Sequence, residues 1–286
     1  MARLASLSPH TTGAGASNVN YFGAARCRHQ FQRYYPNGFD DEVYQVAERS
    51  VKERAALEWN IELNPPAFRR LLARGDYDRI ADTALRVEAR CNLLFSFEKM
   101  ALRDAVKAPA DARLFATALY AFLYGRGNPQ RKFEAWIAAL GALPRRQSRV
   151  LSWPLVTVFG QIARPDAHLF LKPTVTRKAA RAYGYEFDYH SAPSWPVYRD
   201  LQTFAAILRR DLDRKPGFRA RDMIDIQSFI WVQGSAEYQR SPRLDRTARG
   251  ANCSEPTRPT LTSRCRCAEA STPATMSYLA LRSGRT

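Results

Sequence analysis

The sequence predicts a mainly α-helical protein whose helices form a single multi-helix globular domain. Three observations carry this prediction. Apolar residues recur every three or four positions through most of the chain, which is the spacing of an amphipathic helix. Asp, Asn and Pro precede these apolar stripes and Gly follows several of them, as at helix caps. Apolar residues make up 45% of the 286 positions, which is enough for a buried core.

The two ends of the chain differ from its middle in composition. Of the 15 Phe, 13 Tyr and 5 Trp residues, only Tyr278 lies after residue 240. Residues 241–286 are rich in Arg, Ser, Thr and Pro, and residues 1–19 are mostly small and polar. Neither segment can bury enough apolar surface to offset the entropy of ordering it. We therefore predict two disordered ends around a globular α-helical domain at residues 20–240.

The first predicted helices begin and end at caps that the sequence shows. Asp40 caps the first helix, and Asn64–Pro66 starts the second with a proline in its first turn. Gly75 ends the second helix because glycine tolerates the left-handed conformation. The apolar stripe of the first helix is Val43, Ala47, Val51, Ala55 and Trp59, joined by Tyr44 and Val46. That of the second helix is Phe68, Leu71 and Leu72.

Three more helices are predicted before residue 145. Asp76 or Asp78 opens the third helix, and Pro109 followed by Asp111 starts the fourth. A loop at residues 125–129 separates the fourth helix from the fifth. Their apolar faces are Ile80, Ala84, Val87, Cys91 and Leu94; Phe115, Ala118, Leu119, Phe122 and Leu123; and Phe133, Trp136, Ile137 and Leu140.

The pattern is less regular between residues 145 and 190. Residues 150–154 are either extended or the start of a helix, and periodicity does not decide between the two. Thr174 is predicted to cap a helix that closes at Gly184. Phe187 and Tyr189 alternate with polar residues, which leaves room for one minor hairpin.

The last two predicted helices lie on either side of a turn at Pro216–Gly217. Trp195–Pro196 starts the first of them, and Asp222 caps the second, which runs to Val232. The pattern predicts about eight helices in all, and it has no fixed-period repeat of the kind that builds a solenoid.

Positive charge is concentrated in one stretch of the predicted domain. Residues 125–181 contain 11 Lys and Arg against two acidic residues, Glu134 and Asp166, so the net charge of this stretch is +9 out of +17 for the chain. A folded segment of this kind can present a surface that attracts polyanions, and the N-terminus of a helix adds free N–H donors for a phosphate. The predicted nucleic-acid contacts are Arg145, Arg146, Arg149, Lys172, Thr174, Arg177, Lys178 and Arg181.

Three functional interpretations stay open. The leading one is a non-enzymatic protein that binds the phosphate backbone of nucleic acid. The second is a hydrolase or nuclease that uses His168 with Asp166 or Asp225 as acid and base. The third is an interaction subunit whose basic face docks an acidic protein. A solvated basic surface, or cations paired with carboxylates from elsewhere in the chain, would give the same sequence pattern.

No cofactor or metal site is predicted. The five cysteines include no C-x-x-C pair, which a zinc site commonly needs. Asp222 and Asp225 share a helix face that can hold Mg²⁺, but capping and the helix dipole explain both residues better. The chain shows no signal peptide and no apolar run of about 18 residues, so we expect a cytoplasmic protein without a membrane span. The sequence does not indicate an oligomeric state.

Four segments of the chain together resemble a family of uncharacterised bacterial cytosolic proteins. They are Leu93–Arg103, Trp153–Thr157, Pro165–Thr176 and Asp222–Trp231. The resemblance covers about residues 35–240 and implies the same cytosolic location. It carries over no functional residue, because no activity comes with that family. The Gln-Ser-Phe-Ile-Trp string within the last segment is also similar to segments of restriction-type DNA-handling proteins.

Overall fold

A computed structural model of the chain describes residues 21–144 and 150–239. These residues confirm the mainly α-helical prediction, while the predicted disordered ends lie outside them. The helices are α1 (Tyr21–Tyr34), α2 (Glu42–Tyr44), α3 (Ser50–Glu62), α4 (Pro65–Arg74), α5 (Tyr77–Ala89), α6 (Ser96–Ala105), α7 (Pro109–Tyr124), α8 (Pro129–Ala142), α9 (Trp153–Ala163), α10 (Pro173–Tyr183), α11 (Trp195–Leu212) and α12 (Met223–Gly234). Short 3₁₀ turns cover Gly38–Asp40 and Ala236–Tyr238, and a π-helix covers Gln45–Arg49.

Helix α9 lies at the centre of a shared hydrophobic core. Every one of its residues is buried, which fits a sequence that is apolar on all sides. Trp59 of α3, Phe115 of α7 and Phe159 of α9 pack ring against ring there. In the described parts of the chain, no helix is long and apolar enough to cross a membrane.

Most of the predicted caps are confirmed. The side chain of Asn64 accepts a hydrogen bond from the Ala67 amide at 2.9 Å, and Asp222 accepts one from Ile224 at 2.9 Å. Gly75 and Gly184 follow α4 and α10 with φ of 77° and 85°, in the left-handed region. Residues 150–154, for which two conformations were open, lead into helix α9.

The predicted apolar stripe of the helix after Asp40 is wrong in its first half. Val43 is 62% exposed, although Ala55 and Trp59 of the same stripe are buried. The π-helix at Gln45–Arg49 is the reason, because its wider turn shifts the register of the faces before and after it. The cap is also displaced by one residue, since the Asp41 side chain accepts from the Val43 and Tyr44 amides. Of the two residues that join the stripe, Tyr44 is buried and Val46 is 74% exposed, and the rotated face also buries Glu48, Arg49 and Lys52.

The minor hairpin for which Phe187 and Tyr189 left room does not form, since the described residues contain no β-strand. The carboxylate of Asp200 on α11 accepts hydrogen bonds from this segment, as the backbone of a neighbouring strand would. It accepts a hydrogen bond from the Asp188 amide at 3.0 Å and one from the Tyr185 hydroxyl at 2.5 Å. Backbone donors that bind a side chain need no strand beside them.

Helix α1 was not among the predicted elements, and it shapes the surroundings of α10. Its buried residues Ala24, Cys27 and Phe31 lie three and four positions apart, so its apolar stripe is regular but short. Gly23 of α1 lies so close to α10 that an added Cβ would come within 2.6 Å of the Tyr183 carbonyl oxygen.

Candidate nucleic-acid interface

Helix α10 carries the central part of the predicted contact surface. Pro173 occupies its first turn, where the missing N–H costs nothing, and Gly184 closes it. One face of α10 is buried, which orients the rest of the helix. The buried residues are Thr176, Ala179, Ala180 and Tyr183. The opposite face is exposed, and we call its polar residues the α10 cationic surface: Thr174, Arg177, Lys178 and Arg181.

The three cations of the α10 cationic surface are not neutralised. Helix α10 itself contains no Asp or Glu. Among the residues that the structure describes, no carboxylate forms a salt bridge with Arg177, Lys178 or Arg181. Since the helix places all three on its solvent side, they form one patch of positive charge.

Some cations elsewhere in the protein are paired with carboxylates. The guanidinium of Arg86 contacts Glu58 and Glu62 at 2.8 Å and 2.5 Å. Arg164 forms two parallel hydrogen bonds with Asp166, at 3.0 Å and 2.8 Å. Part of the positive charge is therefore neutralised within the protein, whereas Arg177, Lys178 and Arg181 have no described carboxylate within salt-bridge distance.

A cleft of about 390 Å³ borders the α10 cationic surface at the C-terminal end of the helix. Its lining residues are Arg177, Arg181, Gly184, Tyr185, Glu186 and Phe187. The guanidinium carbon of Arg177 lies 5.2 Å from the centre of the Tyr189 ring, within the range of a cation–π contact. This contact restrains the Arg177 side chain while its charge stays exposed.

Arg26 of α1 adds a cation that the sequence did not single out. Its Nη2 donates to the carbonyl oxygen of Ala182 at 3.1 Å, across 156 positions of sequence. A cation is favourable there because the carbonyl groups at the end of α10 are not all used within the helix. The signal that could have found Arg26 is the apolar stripe of α1, which leaves Arg26 on the exposed face.

Lys172 does not belong to the α10 cationic surface, so the expectation that it is exposed there is wrong. Its Nζ lies inside the protein, 3.4 Å from Glu98 Oε2 and 3.4 Å from the Leu93 carbonyl oxygen. The same atom lies 3.3 Å from the centre of the Phe95 ring. Burial lowers the pKa of Lys172, although Glu98 acts in the opposite direction.

Four other residues were predicted to contact nucleic acid: Thr174, Arg145, Arg146 and Arg149. Lys172, and not Thr174, precedes the first residue of α10, so the predicted cap at Thr174 is wrong. Thr174 instead lies exposed in the first turn, where its hydroxyl can still meet a ligand. Arg145, Arg146 and Arg149 lie outside the described residues.

The structure does not bring His168 to Asp225, the pairing that one enzymatic interpretation needs. His168 Nδ1 lies 2.8 Å from the Tyr198 hydroxyl oxygen. Burial lowers the pKa of His168 to about 4, helped by the positive charges of Arg164 and Lys132. Asp166, the other predicted partner, forms a bidentate ion pair with Arg164. His168 is therefore neutral near pH 7 and a weak base.

Asp222 and Asp225 bind arginines in this structure. Asp225 is fully buried and accepts hydrogen bonds from Tyr44, Arg49 and Arg221. Asp222 caps α12 and also accepts two hydrogen bonds from Arg49. Within residues 21–144 and 150–239, no group of three or more His, Cys, Asp or Glu side chains is arranged to hold a metal ion.

His168 predicts a specific pH dependence of stability. Its pKa is about 4 in the folded protein against 6.5 in the unfolded chain, so only the unfolded chain gains a proton between these values. Stability is therefore lost as the pH falls from about 6.5 to about 4, by on the order of 3 kcal/mol from this group. We expect His168→Gln to flatten the free energy of unfolding across this window in urea titrations.

The matched control for this measurement is His190→Gln. The His190 side chain is 70% exposed, so this variant shows the effect of removing a histidine that is not buried. Equal profiles for His168→Gln and the wild-type protein would show that His168 titrates normally in the folded protein.

Comparison of the chain with protein-family models, curated proteins and solved structures finds no match in any of the three. The resemblance of residues 35–240 to a family of uncharacterised bacterial cytosolic proteins stays a prediction.

Proposed function

We propose that the protein binds nucleic acid through contacts between the α10 cationic surface and phosphate groups. The observation that carries this proposal is the absence of any carboxylate partner for Arg177, Lys178 and Arg181 within the described residues, on a helix with a fully packed opposite face. Arginine and lysine release condensed counterions when they meet the phosphates of a nucleic acid, and this release supplies most of the sequence-independent affinity.

The spacing of the cations suits a phosphate backbone. Arg177 and Arg181 are four residues apart, so they lie on one face and about 6 Å apart along the helix axis. Successive phosphates of one DNA strand advance by about 3.4 Å along the duplex axis. The two guanidinium groups therefore reach phosphates on neighbouring or alternate nucleotides without any change in α10.

Pre-organisation supports the same proposal. Helix α10 contacts both α1 and α12, and Arg177 lies over the Tyr189 ring. Cations held on a packed helix lose less conformational entropy on binding than cations on a loop. Contacts of this kind position a protein on the backbone and read no bases, so the proposal is for binding without strong sequence preference.

The test compares two double variants of the full chain, Arg177→Ala/Arg181→Ala and Arg70→Ala/Arg74→Ala. Both remove two exposed arginines four residues apart from a helix, and both change the net charge equally. Because a chain of net charge +17 attracts nucleic acid in any case, the difference between the two variants is the informative quantity. Fluorescence anisotropy with labelled duplex DNA and single-stranded RNA should be recorded over a series of salt concentrations.

We expect the α10 variant to have the shallower salt dependence. Each lost phosphate contact reduces the slope of log K against log salt by about 0.9 on duplex DNA, so two contacts reduce it by about 1.8. The α4 variant should keep a slope close to that of the wild-type protein. Equal slopes for the two variants would reject the α10 cationic surface. Loss of binding to an acidic protein, with nucleic-acid binding intact, would favour the docking interpretation.

A further inference from the structure

A second cavity, of about 230 Å³, lies between α7, α8, α11 and the turn that follows α9. It shares no lining residue with the α10 cationic surface. We call it the His168 pocket. Its lining residues include Phe122, Lys132, Phe133, His168, Trp195 and Tyr198.

The walls of the His168 pocket are aromatic and fixed. The rings of Phe133 and Tyr198 stack in parallel, with centres 4.2 Å apart and planes 9° apart. The Trp195 ring lies 5.9 Å from that of Phe133, and Phe122 lies 4.9 Å from His168. Because the rings hold one another in place, the aromatic side chains that line the cavity keep their positions without a ligand.

One ring nitrogen of His168 is placed by a hydrogen bond to α11. Nδ1 lies 2.8 Å from the Tyr198 hydroxyl oxygen, and either atom can be the donor of this pair. In the tautomer whose Nδ1 accepts from Tyr198, the proton of the neutral ring is on Nε2. Gly160 packs against this ring, since an added Cβ there would lie 3.0 Å from the His168 Cγ.

The electrostatics of the His168 pocket favour an anion. Its lining contains two cations, Lys132 and Arg164, and no carboxylate. Asp166 neutralises Arg164, but no described carboxylate lies within salt-bridge distance of Lys132. Lys132 Nζ donates to the Gly125 carbonyl oxygen at 3.0 Å, which leaves two of its three N–H groups for a ligand.

We propose that the His168 pocket binds a single-ring aromatic compound that carries one anionic group. The ring lies among the aromatic side chains, and the anionic group accepts a hydrogen bond from Lys132 Nζ and, in the tautomer whose Nδ1 accepts from Tyr198, a second one from His168 Nε2. The volume is below the range of about 300–1,000 Å³ that holds drug-sized ligands, so the pocket selects one ring over two. This inference is independent of nucleic-acid binding by α10.

The test uses three probes with the full chain in isothermal titration calorimetry at pH 7: benzoate, phenyl phosphate and benzamide. Benzamide has the shape of benzoate without its charge. We expect benzoate or phenyl phosphate to bind at least about tenfold more tightly than benzamide, the difference of one charge-assisted hydrogen bond. Whichever of the two anions binds more tightly identifies the ligand as a carboxylate or a phosphate ester.

One lysine variant and one arginine variant on α8 test whether Lys132 contacts the anionic group. Lys132→Gln should lower the affinity for the anionic probe by about tenfold and leave the affinity for benzamide unchanged. Arg131→Gln is the matched control, because it removes an adjacent exposed cation that does not line the cavity. Far-UV circular dichroism of both variants checks that they fold. Equal affinity for benzoate and benzamide, no measurable binding of any probe at millimolar concentration, or equal effects of the two variants would each overturn the proposal.

Discussion

Replacement of Asp225 by Ala should lower the free energy of unfolding by about 3–5 kcal/mol, the cost of removing one partner from a buried ion pair. Asp225 is fully buried, and Arg49, its partner at 3.0 Å, has a side chain that is only 5% exposed. Without the carboxylate, the Arg49 charge keeps Asp222 and the half-exposed Glu53 but loses its only fully buried counterion. The Tyr44 hydroxyl, which donates to Asp225 at 2.6 Å, also loses its acceptor.

Urea denaturation followed by circular dichroism measures this loss, and Asp82→Ala on the exposed side of α5 is the control. The effect should shrink as the pH falls. Burial alone would raise the pKa of Asp225, but the hydrogen bonds from Arg221 and Tyr44 lower it below its usual value. A carboxyl group with a lowered pKa stabilises the folded state above its ordinary pKa and loses this contribution in acid. A loss below about 1 kcal/mol at pH 7 would contradict the buried network.

Replacement of Gly234 by Ala should destabilise the protein through a backbone clash, by about 1–3 kcal/mol or more. A Cβ at this position would lie 2.0 Å from the carbonyl oxygen of Val175. The opposing atom belongs to the backbone of α10, so no change of rotamer can relieve the contact. Helix α12 would have to move away from α10, which carries the α10 cationic surface.

Gly141→Ala in α8 is the matched control, since its Cβ would meet only a side-chain carbon of Leu151 at 3.6 Å, an ordinary contact. There the substitution should be neutral or stabilise the helix by up to about 1 kcal/mol. Thermal and urea unfolding of both variants gives the comparison. If Gly234→Ala is as stable as Gly141→Ala, α10 and α12 are not packed backbone against backbone.

The local rules of helix formation account for what could be predicted of the fold. Asn64 with its prolines, Gly184 and Asp222 act through bonds to residues within four positions, so the sequence around each of them is sufficient. The π-helix at Gln45–Arg49 could not be predicted in the same way. It follows from the burial of Tyr44, Glu48 and Arg49 against α12 and its neighbours, which no stripe of apolar residues records.

The candidate site, like the fold, has one part that the sequence predicts and another that depends on tertiary packing. A run of basic residues is visible in the sequence, and the helical spacing predicts that Arg177 and Arg181 lie on one face of α10. Which of these cations are exposed and unpaired depends on how the helices pack. Lys172 meets Glu98 from 74 positions away, while Arg177 and Arg181 meet no described carboxylate. Charge pairing depends on distances in space, and these are set by how the helices pack and not by the order of residues along the chain.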